Sequence, residues 1–173
     1  MTSSPRSPAT KPKPPGLERP STVRVIKVMS VLHRAVYKAS GGRVLRNWKL
    51  GSAVHRGRGV PICLVTTIGR KSGQRREVPL CYLADGDRVI VVASQGGLPT
   101  NPQWYLNTKA NPDVEVRVGT SVRRMRARTA DAAERAALWP RLVDLYNDYA
   151  SYATWTDREI PVVICEPNEA GPA

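Results

Sequence analysis

Residues 60–94 read VPICLVTTIGRKSGQRREVPLCYLADGDRVIVVAS. Val60–Thr67 is a nearly continuous apolar, β-branched run, and Glu77–Ala84 and Arg88–Ser94 flank the turn Asp85-Gly86-Asp87, so the stretch reads as three strands. Glycine at the centre of that turn supplies the positive φ that a tight hairpin demands. Further on, Val114–Val118 and Val122–Thr129 flank Gly119-Thr120, and Ile160–Cys165 gives a sixth strand. Short strands joined by tight turns predict an antiparallel meander, which loses its unpaired edges by curling into a barrel. Two helical pieces interrupt it. One spans Pro102–Lys109. The other starts at Asp131, whose pairing with Glu134 has the capping-box pattern, and is expected to break or kink at Pro140 before continuing through Tyr149. The expected fold is mainly β: about six antiparallel strands in a barrel with flanking helices.

The chain before Val60 has a different character. Residues 1–20 contain six prolines with Lys11, Lys13 and Arg19 among them, the composition of an extended, disordered tail. From Ser21 to Ala39 the apolar residues Val25, Met29, Leu32, Val36 and Ala39 recur at helical spacing, with Arg24, Lys27, Arg34 and Lys38 on another face and Gly41-Gly42 as the stop. This basic amphipathic helix either packs on the domain or lies on an anionic membrane surface. A glycine-rich basic connector follows. The expected organisation is therefore a tail over 1–20, helix and connector over 21–59, a barrel domain over 60–167 and a short tail over 168–173.

Charge supports the same division. The 173 residues carry a net charge of +13, yet residues 1–60 hold 13 Lys and Arg against Glu18 alone, and residues 61–173 hold 14 against 13 acids. A fold that grips nucleic acid would carry its excess on the folded face, so no specific nucleic-acid partner is expected. The mean hydropathy is −0.35, and no apolar run approaches the 18 or so residues that span a bilayer or resembles a signal peptide, which predicts a cytoplasmic protein. Cys63, Cys81 and Cys165 each sit in an apolar run and read as buried, inert thiols. With only His33 and His55, both before the barrel, neither a metal centre nor a histidine-based nucleophilic triad is expected.

Three features point to chemistry. The loop Gly69-Arg70-Lys71-Ser72-Gly73-Gln74-Arg75-Arg76 holds four cations. It lacks the glycines of a triphosphate loop, since Arg70 and Val65 stand in their places. It is either an anion-binding turn for phosphate or carboxylate or a solvated hairpin. The second feature is Ala93-Ser94-Gln95-Gly96-Gly97 after a strand, followed by Asn101-Pro102-Gln103-Trp104-Tyr105, where close backbone approach and a flat aromatic wall together suit a planar ring. The third is Tyr146, Tyr149, Tyr152 and Trp155, spaced to share one helical sector as core or as a lid.

The runs TTIGRKSGQ at 66–74, VIVVASQGG at 89–97, NPQWYLNTKANP at 101–112, LWPRLV at 138–143 and TDREIPVVICEP at 156–167 together resemble the deazaflavin-dependent nitroreductase family, nearest to its nitroimidazole-activating and quinone-reducing members. The resemblance implies a split β-barrel that binds coenzyme F420, a deazaflavin with a phosphate-linked oligoglutamate tail. By that likeness Arg70, Lys71, Ser72, Gly73 and Arg76 hold the phosphate and acidic tail. Pro79, Ala93, Ser94, Gln95, Gln103 and Trp104 surround the ring, while Ser94, Tyr146, Tyr149 and Tyr152 line the substrate side. The chain departs from the family in having Gln95 where Lys is common, Arg75 where Pro is common and Cys81 where a large aromatic is common.

The implied activity is hydride transfer from reduced F420 to a quinone such as menaquinone, or to a nitroaromatic, with Ser94 and Tyr149 as the catalytic pair. FMN-dependent reductases or oxidases share the barrel, and a non-catalytic F420 carrier would share the loop. A membrane-borne quinone gives the helix at 21–40 a use, because it would place the enzyme peripherally on the inner face of the cell membrane.

Overall fold

The computed structural model describes residues 10–16, 36, 37, 39, 40, 47, 48 and 59–168. The helix expected over 21–39 and the connector to 59 lie almost wholly outside the described residues. Strand β1 (Asn47–Trp48) pairs with the start of β2 (Val60–Ile68). Antiparallel pairing continues to β3 (Arg75–Asp85) and β4 (Arg88–Val92), and, later in the chain, joins β5 (Asp113–Val118) to β6 (Ser121–Thr129). Helix α1 (Gln103–Ala110) connects β4 to β5. Helices α2 (Ala132–Leu145) and α3 (Asp148–Thr154) precede β7 (Val162–Pro167).

Strands β2–β7 close into a six-stranded antiparallel barrel, as expected. The order is β2-β3-β4-β7-β6-β5, and β5 returns to β2 through Leu64–Thr66. It is not a simple meander. The last strand inserts between β4 and β6, with Ile90 opposite Ile164 and Ala127 opposite Cys165. Two hairpins follow from their turns, but no turn encodes the β4–β7 pairing, which is decided by which apolar faces fit.

Both faces of β2, β4 and β7 are buried, which explains their unbroken apolar runs. Alternate residues separate two layers. Cys63, Val65, Val89, Val91, Val114, Val116, Met125, Ala127, Val163 and Cys165 fill the barrel, closed at one end by Trp104 and Tyr105 of α1. Ile90, Val92, Val162 and Ile164 face outward against Leu138 and Leu142 of α2 and against Tyr146 and Tyr149. Burying each large aliphatic side chain contributes about 1.5–3 kcal/mol. In β6, by contrast, Arg124, Arg126 and Arg128 point to solvent between buried Met125 and Ala127.

The expected break at Pro140 does not occur. Helix α2 opens with the predicted capping box, in which Asp131 accepts from Glu134 N and Glu134 accepts from Asp131 N, and runs through Pro140 to Leu145. The interruption falls at Tyr146, whose φ of −143° is extended. Packing of Leu138 and Leu142 on the barrel keeps the helix going on both sides of the proline, overriding its local cost. Tyr149 and Tyr152 therefore belong to a separate short helix and Tyr146 caps the end of α2, rather than all three lying at the end of one long helix.

Candidate active site

The connection between β2 and β3 forms a compact cationic turn. Gly69 N donates to Gln74 O (2.8 Å), and Ser72 N and Gly73 N both donate to Gly69 O. Gly73 has φ +65°, a conformation that costs a residue with a Cβ. The turn is anchored to α1. Arg70 N donates to Asn107 Oδ1 (3.1 Å), and Arg70 Nη1 donates to Gln103 Oε1 (2.8 Å). Asn107 is buried and also donates to Thr67 Oγ1 (3.2 Å). Arg75 is committed to Glu115 through both Nη groups, and Arg76 Nη2 donates to Gln74 Oε1. Lys71 is exposed and makes no polar contact among the described residues.

Beyond β4 the chain enters a turn in which Gln95, Gly96 and Gly97 have φ values of 48°, 65° and 76°. Ala93 is buried in the barrel cluster beside Trp104, and Ser94–Gly96 are half-buried. Gly97 is required for closeness: a Cβ there would lie 3.0 Å from the Trp155 ring and 3.1 Å from Tyr152 O. The Ser94 turn and α3 are thus in direct contact. On the opposite side, Arg158 binds this turn through Ala93 O and Ser94 O (3.2 and 2.8 Å), and its guanidinium is lowered from its usual value by burial while remaining a cation.

The tyrosines pack edge-to-face. Ring centroids of Tyr146 and Tyr149 are 5.0 Å apart, and those of Tyr152 and Trp155 are 5.2 Å apart. The hydroxyls of Tyr146 and Tyr152 meet at 3.1 Å. Burial raises the pKa of all three phenols, and neighbouring Asp148 adds to the effect on Tyr146 and Tyr152. They stay protonated and able to donate. Tyr149 is 4% exposed, with its ring beside Trp139 and Tyr146, whereas Tyr152 is half-buried.

Lys11 lies against α3. Lys11 N donates to Ser151 Oγ (2.8 Å), Lys11 Nζ pairs with Asp148 (2.8 Å), and Trp155 Nε1 donates to Lys11 O (2.7 Å). This part of the predicted disordered tail therefore contacts the helix that carries the tyrosines.

The predicted residues lie on two turns that each follow a strand antiparallel to β3, and on α1, α3, the cap of α2 and β3 beside them. Arg70, Lys71, Ser72, Gly73 and Arg76 are in the cationic turn, tied through Gln103 to α1. Trp104 and Ala93 belong to the same buried cluster. Ser94 and Gln95 are in the turn that touches Tyr152 through Gly97. Pro79 sits opposite Leu64 on β3, where among the described residues the strand's other edge meets no strand until Tyr82 pairs with Val91. Three participants escaped the sequence reading. Asn107 stands one helical turn after Gln103, a spacing that placed it on the same face. Arg158 had only its charge in a polar stretch, and Lys11 lay in a proline-rich tail. Among the described residues no group of His, Cys, Asp or Glu is arranged to hold a metal ion, and no helix is long and apolar enough to cross a membrane.

The profile of the F420H(2)-dependent quinone reductase family matches residues 31–167. The F420H(2)-dependent quinone reductase Rv1261c of Mycobacterium tuberculosis is 38% identical over 152 residues, spanning 86% of this chain and 93% of that protein. A solved F420-H2 dependent reductase, FDR-A, superposes with a TM-score of 0.58 at 47% identity, covering 61% of this chain and 94% of its own. Another solved chain, described as a domain-swapped dimer, gives 0.61 at 37% identity over 84% of this chain and 99% of its own. Because the match runs from before the barrel through its last strand, and these turns and helices sit on that matched framework, the chain belongs to the F420H(2)-dependent quinone reductase family.

Proposed function

We propose that the chain reduces a quinone with hydride from reduced coenzyme F420, bound from the cationic turn to the Ser94 turn. The observation that carries this reading is the turn itself: Arg70 is pinned to α1 by Gln103 and Asn107, while Lys71 beside it is exposed and without a partner among the described residues. That donor set fits an acidic, phosphate-bearing tail, because a pre-anchored fork loses little order on binding and an uncommitted ammonium gives up no protein partner. Reduced F420 supplies the hydride from its deazaflavin ring. The protein supplies binding, orientation and charge balance.

Ser94, at the start of its turn, and the Tyr146–Tyr152 hydroxyl pair are the donors for the quinone oxygen that gains negative charge. Tyr149 holds these phenols in place by packing, and its buried hydroxyl belongs to the same wall. A nitroaromatic would use the same donors. The basic segment 21–40 supports docking on an anionic membrane that contains the quinone.

The decisive measurement mixes purified protein with reduced F420 and menadione and follows the return of deazaflavin absorbance. Turnover together with a calorimetric heat for F420 supports the reading. No heat with F420 in either redox state from folded protein overturns it. For membrane docking, flotation with anionic liposomes should fall at least several-fold when residues 1–40 are removed, and equal flotation would refute that role.

A further inference from the structure

Arg158 is a half-buried cation without an anion among the described residues. Its Nε donates to Leu98 O (3.0 Å), Nη1 to Asn101 Oδ1 (2.9 Å), and Nη2 to Ala93 O (3.2 Å) and Ser94 O (2.8 Å). Arg75, Arg88, Arg126, Arg128, Arg135 and Arg141 all meet carboxylates. Desolvating a charge without a counter-charge is unfavourable, so the four contacts must offset it. Only the rigid fork of a guanidinium reaches four acceptors spread over one connection in this way.

All four acceptors belong to the single connection between β4 and α1, which has few bonds of its own. It places three successive residues at positive φ, and for Gln95 that conformation costs about 1–2 kcal/mol. Its own backbone bonds are Gly97 N to Ser94 O (3.0 Å) and Leu98 N to Gln95 O (3.4 Å). The carbonyls of Ala93 and Ser94 belong to the two peptide units on either side of Ser94. Since peptides are planar and trans, aiming both carbonyls at one guanidinium fixes both planes, and with them the direction of the Ser94 Cα–Cβ bond.

The geometry points to Arg158 as the positioning residue for Ser94: its guanidinium locks the flanking peptide planes, fixes where the Ser94 Cβ stands, and so confines the serine hydroxyl to the few staggered positions open to it beside the site of hydride transfer. This rests on the assignment of Ser94 given under the proposed function. Small displacements suffice to matter, because a misplacement of about 1 Å can cost on the order of a hundredfold in rate.

The test compares wild type, R158Q, R158K, S94A and the R158Q/S94A double variant. F420 affinity is read by calorimetry, kcat and KM are read with menadione, and melting temperature is read by circular dichroism. We expect R158Q to keep F420 affinity within about threefold, since the tail is held by the other turn, while kcat falls about a hundredfold. R158K, which keeps the charge and can reach the Ala93 and Ser94 carbonyls, should recover much of the loss. In the S94A background R158Q should cost almost nothing further, because two residues acting through one hydroxyl are not additive. An equal loss from R158Q in both backgrounds overturns the proposal, as does an unchanged kcat. If R158Q does not fold, R158K in the two Ser94 backgrounds makes the same comparison. Failure of the underlying reading looks different: wild type gives no heat with F420, or S94A turns over like wild type, and either result overturns this proposal as well.

Discussion

Lys71 is the cation that the β2–β3 turn leaves uncommitted, whereas Arg70, Arg75 and Arg76 each have a protein acceptor. Lys71→Ala should therefore weaken F420 binding by about tenfold or more, the usual contribution of a charge-assisted contact. Its kcat at saturating F420 should stay within about twofold, so calorimetry and turnover together separate tail binding from ring chemistry. In the tyrosine cluster, burial keeps the phenols protonated. Raised pKa values mean the neutral, donating form persists up to the folded pKa, so kcat should show no alkaline limb below about pH 10 from these groups. Tyr152→Phe should lower kcat by about a hundredfold with little change in F420 affinity. The thiols behave in the same direction. Cys81 and Cys165 are pushed up to about 12 by burial, and Cys63 is raised well above its usual value by burial and by the other two thiols. Ellman's reagent at pH 8 should label native protein slowly and all three cysteines only after denaturation.

Helix α2 is fastened to the barrel by its first turn. Arg128 of β6 binds Glu134 at 2.6 and 2.7 Å and Glu166 of β7 at 2.8 Å, so one guanidinium joins two strands and the helix. This pairing, together with the Asp131 backbone amide, lowers the Glu134 pKa to about 2. A depressed carboxylate stabilises the fold above its unfolded value of about 4.3. That contribution is lost as pH falls through about 2. Glu134→Gln should thus melt lower than wild type at pH 7, and the gap should close towards pH 2, as thermal melts across that range would show. Removing the cap with Asp131→Ala should cost about 1 kcal/mol, or roughly 2–4 °C in melting temperature for a chain of this size. The α3 helix is less independent. It packs on the Ser94 turn and is bound from outside by Lys11 at Ser151 and Asp148, so its tyrosines are held by their neighbours rather than by helix propensity.

At the scale of the whole molecule, much of the fold and the make-up of the cationic turn were legible in the sequence. Strand runs, hairpin turns and the capping box are local, because the backbone conformation each requires is set by residues next to one another. Asp85-Gly86-Asp87, Gly119-Thr120 and Asp131 with Glu134 are cases of this kind. The cationic turn was legible for the same reason, since its charges are consecutive. What the sequence determined alone was therefore the six barrel strands, the short helix before the fourth of them, the capped start of α2, and the concentration of cations in the β2–β3 turn. Tertiary structure alone decided that β7 enters between β4 and β6, that α2 survives Pro140, that Asn107 anchors Arg70, and that Lys11 reaches Asp148 across most of the chain. It also decided that Arg158 is spent on Ala93 and Ser94. Each of these depends on surfaces brought together from distant positions, where the free energy comes from fitted contact and shared desolvation, and no local pattern of residues records which surfaces those will be.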